Sequence, residues 1–268
     1  MKPVAAVGIG LALVLIAAGD VMGGGSPLHL FNISAALVVL GGTAGVTLAS
    51  TSMEQFKRIP ALYKKASSTG PPDYRAELDR IVGFAEKARR EGLLALDGEV
   101  SEIEDPFVRK GMQFVVDGTD PEVVREILEA EVASMAARHH ANAQPFVQAG
   151  GFAPTLGILG TTMHLVVILQ NLDKPETLGP MIAAAFIATL YGVGSANVVF
   201  LPVGNRLKVI STEEQAVKEM IIEGILAVQA GENPRLIADR LMTYVPPDER
   251  GETDGDEVGD GPALAEAA

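Results

Sequence analysis

Gly157, Thr161 and His164 recur at i, i+4 and i+7, so a helix would carry all three on one face. Thr189 and Ser195 place further hydroxyls in a second apolar stretch downstream. Residues 146–172 and 177–205, which hold these groups, contain no Asp, Glu, Lys or Arg. An ion path through a membrane needs an ionisable or strongly polar group at depth. If this chain conducts an ion, the carboxylate that carries it must therefore come from a different chain. The threonines have an ordinary alternative, bonding back to carbonyls of their own helix. His164 is the only side chain deep in either stretch of a type that ordinarily titrates near neutral pH. It is expected either as a neutral imidazole bonded to a carbonyl or as the lining of a hydrated path.

Small residues accompany these groups. Ala184, Ala188, Gly192 and Ala196 form a stripe at helical spacing, and Gly157 stands on the Thr161 face. Such residues let a second helix approach closely, and ordinary membrane-helix packing accounts for the stripe better than chemistry does. Pro154 and Pro202 fall inside the same two stretches. Each removes a backbone donor and should kink its helix unless neighbours compensate, giving either a hinge or a tolerated membrane proline. Elsewhere, Arg89, Arg90 and Asp97 gather two cations and an acid around Gly92, a pattern that by itself describes a solvated charged face. His139 and His140 are adjacent, point different ways on a helix and lack a third ligand, so no metal is expected there.

The elements that must position these residues are membrane helices. The 268 residues are 48% apolar, yet the net charge is −13, so charged and apolar residues must occupy separate segments. Four stretches lack charge over lengths that suit a membrane span, about 17–25 residues: Pro3–Gly19, Leu30–Met53, Phe146–Leu172 and Thr177–Asn205. Lys2 and Ala17-Ala18-Gly19 give the first the outline of a cleaved signal. A second apolar stretch follows within a dozen residues, across the turn Met22-Gly-Gly-Gly-Ser-Pro27, which suits a hairpin better. Of 21 Lys and Arg, 13 lie between stretches two and three, six follow stretch four, and only Lys174 sits in an opposite loop. The positive-inside rule then places both termini and the large middle region in the cytoplasm.

Between the hairpins the chain reads as helical. Leu78, Ile81, Val82 and Ala85 mark an amphipathic helix over about 73–90, and Asp120-Pro121-Glu122 starts another that continues into stretch three. Residues 206–230 form a further helix, Asn233-Pro234 starts a short one, and a Gly-, Asp- and Glu-rich tail from Pro246 is expected to be disordered. The expected fold is all-α and polytopic, with four transmembrane helices and a helical cytoplasmic domain. The divisions are a hairpin (1–53), a cytoplasmic domain (54–145), a pore-lining pair (146–205), C-terminal cytoplasmic helices (206–245) and the tail (246–268). Cysteine is absent, which excludes disulfides and thiolate metal sites, and the acidic balance disfavours nucleic acid. No nucleophile–base pair or phosphate loop marks an enzyme.

These features together resemble the flagellar stator family of MotA and PomA, relatives of TolQ and ExbB. The resemblance is carried by Gly150-Gly-Phe-Ala-Pro154-Thr-Leu-Gly-Ile-Leu-Gly160-Thr, Asn171-Leu-Asp173 and Leu178-Gly-Pro180. It continues through Ala188-Thr-Leu-Tyr-Gly192, Ser195-Ala-Asn197, Phe200-Leu-Pro202 and Asn205-Arg-Leu-Lys208, and Arg89-Arg90-Glu-Gly-Leu-Leu-Ala-Leu-Asp97 also matches. It implies an ion-conducting subunit of the bacterial inner membrane, five copies around two chains of a MotB-like partner that supplies a pore aspartate. Pro154 and Pro202 match the prolines that couple ion passage to movement; Arg89, Arg90 and Asp97 match residues that meet the rotor's switch-complex protein. The family more often has Glu where Asp97 stands, and Glu99 is a possible stand-in. Thr161 and Thr189 match hydroxyl positions of sodium-type members. Hydroxyl oxygens suit a hard cation, which tips the expectation towards Na+ over H+. His164 departs from the family's usual glycine, and no cofactor is implied. A TolQ/ExbB-like energiser of envelope transport is the nearest rival but usually lacks the first hairpin. A transporter permease would show a helix repeat that is absent.

Overall fold

The structure, a computed structural model, describes residues 4–250, apart from the side chains of Val4 and Asp248. Within them the elements are helices: α1 (Val4–Met22), α2 (Ile33–Ser50), α3 (Met53–Ser68), α4 (Tyr74–Glu91), α5 (Pro106–Val116), α6 (Pro121–Gln170), α7 (Pro175–Gln229) and α8 (Pro234–Met242). Helix α1, helix α2, part of α6 and part of α7 are long and apolar enough to cross a membrane. The expected acidic tail lies outside the described residues from 251 onward, as do Lys2 and Pro3. Residues Pro247–Glu249 form a turn of 3-10 helix, and the Arg250 Nε donates to the Val245 carbonyl (2.8 Å).

Local chemistry explains most boundaries. Asp73 caps α4 by accepting from the Ala76 N–H (3.0 Å), and Asp120 accepts from the Glu122 N–H (2.9 Å) at the start of α6. Asn32 and Asn233 cap α2 and α8 in the same way. Helix α3 opens with a capping box in which Ser52 and Gln55 satisfy each other's backbone N–H groups. Gly92 ends α4 at φ +87°, a conformation that a side chain would strain.

One difference from the sequence expectation has a physical cause. Helix α7 runs unbroken past Asn205, because polarity changes there while helix-forming capacity does not. Helix α6 runs from Pro121 into stretch three as expected, continuous through Pro145 and Pro154. Pro202 lies just beyond a π-helical segment, Ser195–Phe200, and a widened turn of that kind gives room for the proline ring against the carbonyl four residues earlier. A second π segment, Leu37–Gly41, interrupts α2.

The described residues form two compact units, 4–72 with Glu131–Gln215, and Asp73–Ala130 with 216–250. In the first, Ile9 of α1, Ala66 of α3, Ala143 and Phe146 of α6, and Val203 and Leu207 of α7 share one core cluster. Ala35 and Val39 of α2 pack with Ile187 and Ala188 of α7 in another. In the second, large buried side chains such as Ile81, Leu96, Met112, Leu128, Met220, Ile225 and Leu241 fill the interior.

Candidate functional site

The site grows from glycines. A Cβ placed on Gly157 would stand 3.1 Å from the Ala188 carbonyl and 3.2 Å from the Gly192 Cα. One placed on Gly192 would meet the Ala153 carbonyl at 2.5 Å and the Gly157 Cα at 2.9 Å. Two backbones therefore touch, which only glycine at both positions permits. Gly160 faces the Ala188 methyl, Gly150 faces Leu201, and Gly204 faces Val147, so α6 and α7 run antiparallel here. Ala184, Ala188 and Ala196 are buried along the same stripe. Gly160, Gly150 and Gly204 extend the crossing beyond the stripe read from sequence; their signal was only that they continue its spacing.

This close approach brings the two threonines together. Thr161 Oγ1 lies 2.5 Å from Thr189 Oγ1, 2.9 Å from the Ala185 carbonyl and 3.1 Å from the Gly157 carbonyl. Each hydroxyl has one proton, so one threonine donates to the other and Thr161 has a carbonyl of either helix available. The result is a cluster of four oxygens with no formal charge. Self-bonding within α6 and bridging to α7 are both present, so the two readings of these threonines are compatible.

Tyr191 was missed in the sequence, although it is a phenol in an apolar run. Its hydroxyl donates to the Leu30 carbonyl (2.7 Å) and accepts from the Asn32 N–H (3.0 Å). It thereby ties the start of α2 to α7, two residues from Thr189 and next to Gly192. His164 Nδ1 lies 2.7 Å from the Gly160 carbonyl, one turn back on its own helix. Pro154 is half-buried between the Gly150 and Gly157 contacts, and Pro202 is half-buried beside Leu201. Ser195 is drawn back to the Gly192 carbonyl (3.3 Å) and does not join the threonines.

The charged residues belong to the second unit. Arg89 and Arg90 occupy the last turn of α4, where cations favour the helix dipole, and both are exposed. Neither they nor Asp97, also exposed, forms an ion pair among the described residues. Glu99 differs, since Lys87 holds it at 2.6 Å. Asp97 thus has no ion partner among the described residues, whereas Glu99 is engaged.

Comparison with known proteins matches this arrangement. The model of the MotA/TolQ/ExbB proton channel family matches residues 99–220. Motility protein A of Borreliella burgdorferi is 39% identical, covering 91% of this chain and 93% of its own length. Chemotaxis protein PomA of Vibrio alginolyticus is 35% identical, over 88% and 91%. The flagellar MotAB stator complex from Bacillus subtilis contains a chain that superposes with a TM-score of 0.86 at 36% identity, covering 91% of this chain and 96% of that one. Identity at this level, sustained across both hairpins and the intervening region, makes the chain a member of the MotA/TolQ/ExbB proton channel family, among its motility protein A proteins.

Proposed function

We propose that this chain is the ion-conducting subunit of a flagellar stator, coupling cation flow to torque through a complex with a MotB-like partner. The observation that carries this is the Thr161–Thr189 contact, a four-oxygen cluster at a helix crossing without a carboxylate. Such a wall can solvate a passing cation but cannot hold it, so the partner supplies the acid, most simply an aspartate. Five copies of this chain would surround two of the partner, with both termini of this chain in the cytoplasm.

In this mechanism a cation enters from outside and neutralises the partner's carboxylate beside Thr161 and Thr189. Hydroxyl and carbonyl oxygens favour Na+ over H+ as the coupling ion. Loss of the charge removes its attraction for the threonine donors, so helices α6 and α7 repack near Pro154 and Pro202. The ring of subunits steps around the partner, and Arg89, Arg90 and Asp97 push the rotor's switch-complex protein. One elementary charge crossing 100 mV releases about 2.3 kcal/mol, comparable with rearranging a few helix contacts. An envelope-transport energiser of the TolQ/ExbB kind is disfavoured by the coverage of flagellar relatives, which includes the first hairpin.

The test is genetic and electrical. Deleting the gene should abolish swimming and leave filaments intact. Arg90→Glu should leave membrane insertion and partner binding at wild-type levels while cutting swimming speed several-fold. Undiminished swimming in the deletion strain would exclude an essential stator role. Speed measured against external sodium, with protonophore controls, decides the ion.

A further inference from the structure

A second polar feature of the first unit lies where α2 gives way to α3. A cleft of about 340 Å³ opens there, with Glu54, Gln55 and Arg58 of α3 on one side and Arg138, His139 and Asn142 of α6 on the other. The chain as a whole is strongly acidic, so two guanidinium groups facing one cleft are against its trend. Arg138 is exposed and makes no hydrogen bond or ion pair with a described residue. Arg58 is bound to Glu54 through one terminal nitrogen, which leaves its remaining N–H groups available and cancels the Glu54 charge. Lys65 stands 3.8 Å from the Glu214 carboxylate, so that acid too is matched by a cation. The Ser52 and Gln55 side-chain oxygens accept in the capping box. The charged donors left for a ligand are the two guanidinium groups, and guanidinium is the side chain whose planar fork fits phosphate oxygens in pairs.

The cleft's position narrows the source of that phosphate. Helix α2 has membrane-crossing length and apolarity up to Ser50, and the cleft begins at Ser52. Helix α3 continues from there as an amphipathic helix. Ile59 and Leu62 turn to the core, while Lys57 and Lys64, seven residues apart and exposed, have no ion pair among the described residues. Met53 and Tyr63 are exposed on the same helix. Unpaired cations beside apolar side chains, directly after a membrane-length helix, form the pattern that binds acidic lipid surfaces.

We propose that this cleft holds the phosphate of an acidic phospholipid, with Arg138 and Arg58 as donors and α3 lying against the headgroups. The inference rests on α2 crossing the membrane as proposed above, and not on ion conduction.

The test uses the full complex of this chain with its partner, purified in mixed micelles containing equal phosphatidylglycerol and phosphatidylcholine. Lipid retained per complex is counted by mass spectrometry. The wild type should retain phosphatidylglycerol in preference. Arg138→Gln should lower that retention roughly fivefold, the weight of one cation near an anionic surface, with phosphatidylcholine unchanged. Arg138→Lys should keep most of it. Equal retention by Arg138→Gln and the wild type overturns the proposal. Binding of radiolabelled inorganic phosphate that depends on Arg138, with phosphatidylglycerol retention unaffected, would assign the cleft to a free anion and overturn the lipid. Ion leak measured on the same wild-type complex separates the two questions: no conduction with lipid preference intact would count against the stator reading, and leave the cleft assigned.

Discussion

The α6–α7 crossing and the interior of the second unit both hold glycines with no room for a methyl, but the obstacle differs. At Gly192 the added carbon would strike the Ala153 carbonyl at 2.5 Å and the Gly157 Cα at 2.9 Å, which are backbone atoms of a neighbouring helix. At Gly224 it would strike Ile81 Cγ2 and Cδ1 at 2.6 and 2.8 Å, and at Gly111 the Ile225 Cδ1, which are side-chain methyls and not backbone. The contrast follows from the surroundings. In lipid no hydrophobic force drives apolar helices together, so close backbone approach must hold them. In water, burial of large aliphatic side chains does the work, and such side chains can yield.

The largest expected effect therefore comes from one methyl group. Gly192→Ala should separate α6 from α7, pull Thr161 from Thr189 and abolish swimming on soft agar, while Gly224→Ala leaves the cells motile. Overpacking of a yielding core costs about 1–3 kcal/mol, enough to lower the amount of complex without stopping the motor. Equal loss of swimming in both strains would break the comparison.

Next comes the hydroxyl cluster that the crossing creates. Thr161→Ala and Thr189→Ala each remove one half of a 2.5 Å contact. Their effects on the sodium dependence of swimming speed should be non-additive, the double variant losing little beyond either single one. Additive losses would mean that the two threonines act separately and that their contact is packing alone.

A smaller effect is expected at the clamp. Tyr191→Phe keeps the ring against Ala35, Val39 and Ala188 but removes the hydroxyl from Leu30 and Asn32. Two backbone groups then lose a partner, at about 1–3 kcal/mol for each that stays buried without one. Swimming speed should fall partially, and hydrogen exchange at the start of α2 should quicken. Unchanged exchange there would show that the loop needs no tie to α7.

The sequence disclosed the helices of the membrane region because uncharged runs of that length have few other uses, and it disclosed the cap at Asp120 because it acts on a neighbour two residues away. It placed Thr161 and Thr189 on separate helices but could not bring them together, since the 28-residue separation is closed only by the depth at which Gly157 meets Gly192. The Tyr191 tie spans about 160 residues and was invisible for the same reason. Nor could spacing reveal that Glu99 is held by Lys87 and that Asp97 has no ion partner among the described residues. Continuity of α6 into the membrane stretch was legible from its cap and its uncharged run, although Pro145 and Pro154 each cost it a backbone donor.

The second unit offers the smallest effect, and its sign can be fixed. The Glu77 carboxyl is pushed above its ordinary value of 4.5 chiefly by burial, against the pull of Arg80 and Lys218 and with the help of Asp105 and Asp73. Arg80 stands 3.1 Å from its Oε2 without forming a hydrogen bond to it. The folded chain thus keeps this proton to higher pH than the unfolded chain does. Its contribution is fully present below the ordinary value and is lost as pH rises through the raised one. Ionising this carboxyl as pH rises carries a desolvation cost, whereas a glutamine has no charge to desolvate. Glu77→Gln should slow hydrogen exchange in α4 at pH 7, and the difference should close as pH falls below the ordinary carboxyl range. Faster exchange in the variant at pH 7 would mean that attraction to Arg80 outweighs burial. The second unit would then owe more of its order to surface charge than its apolar interior implies.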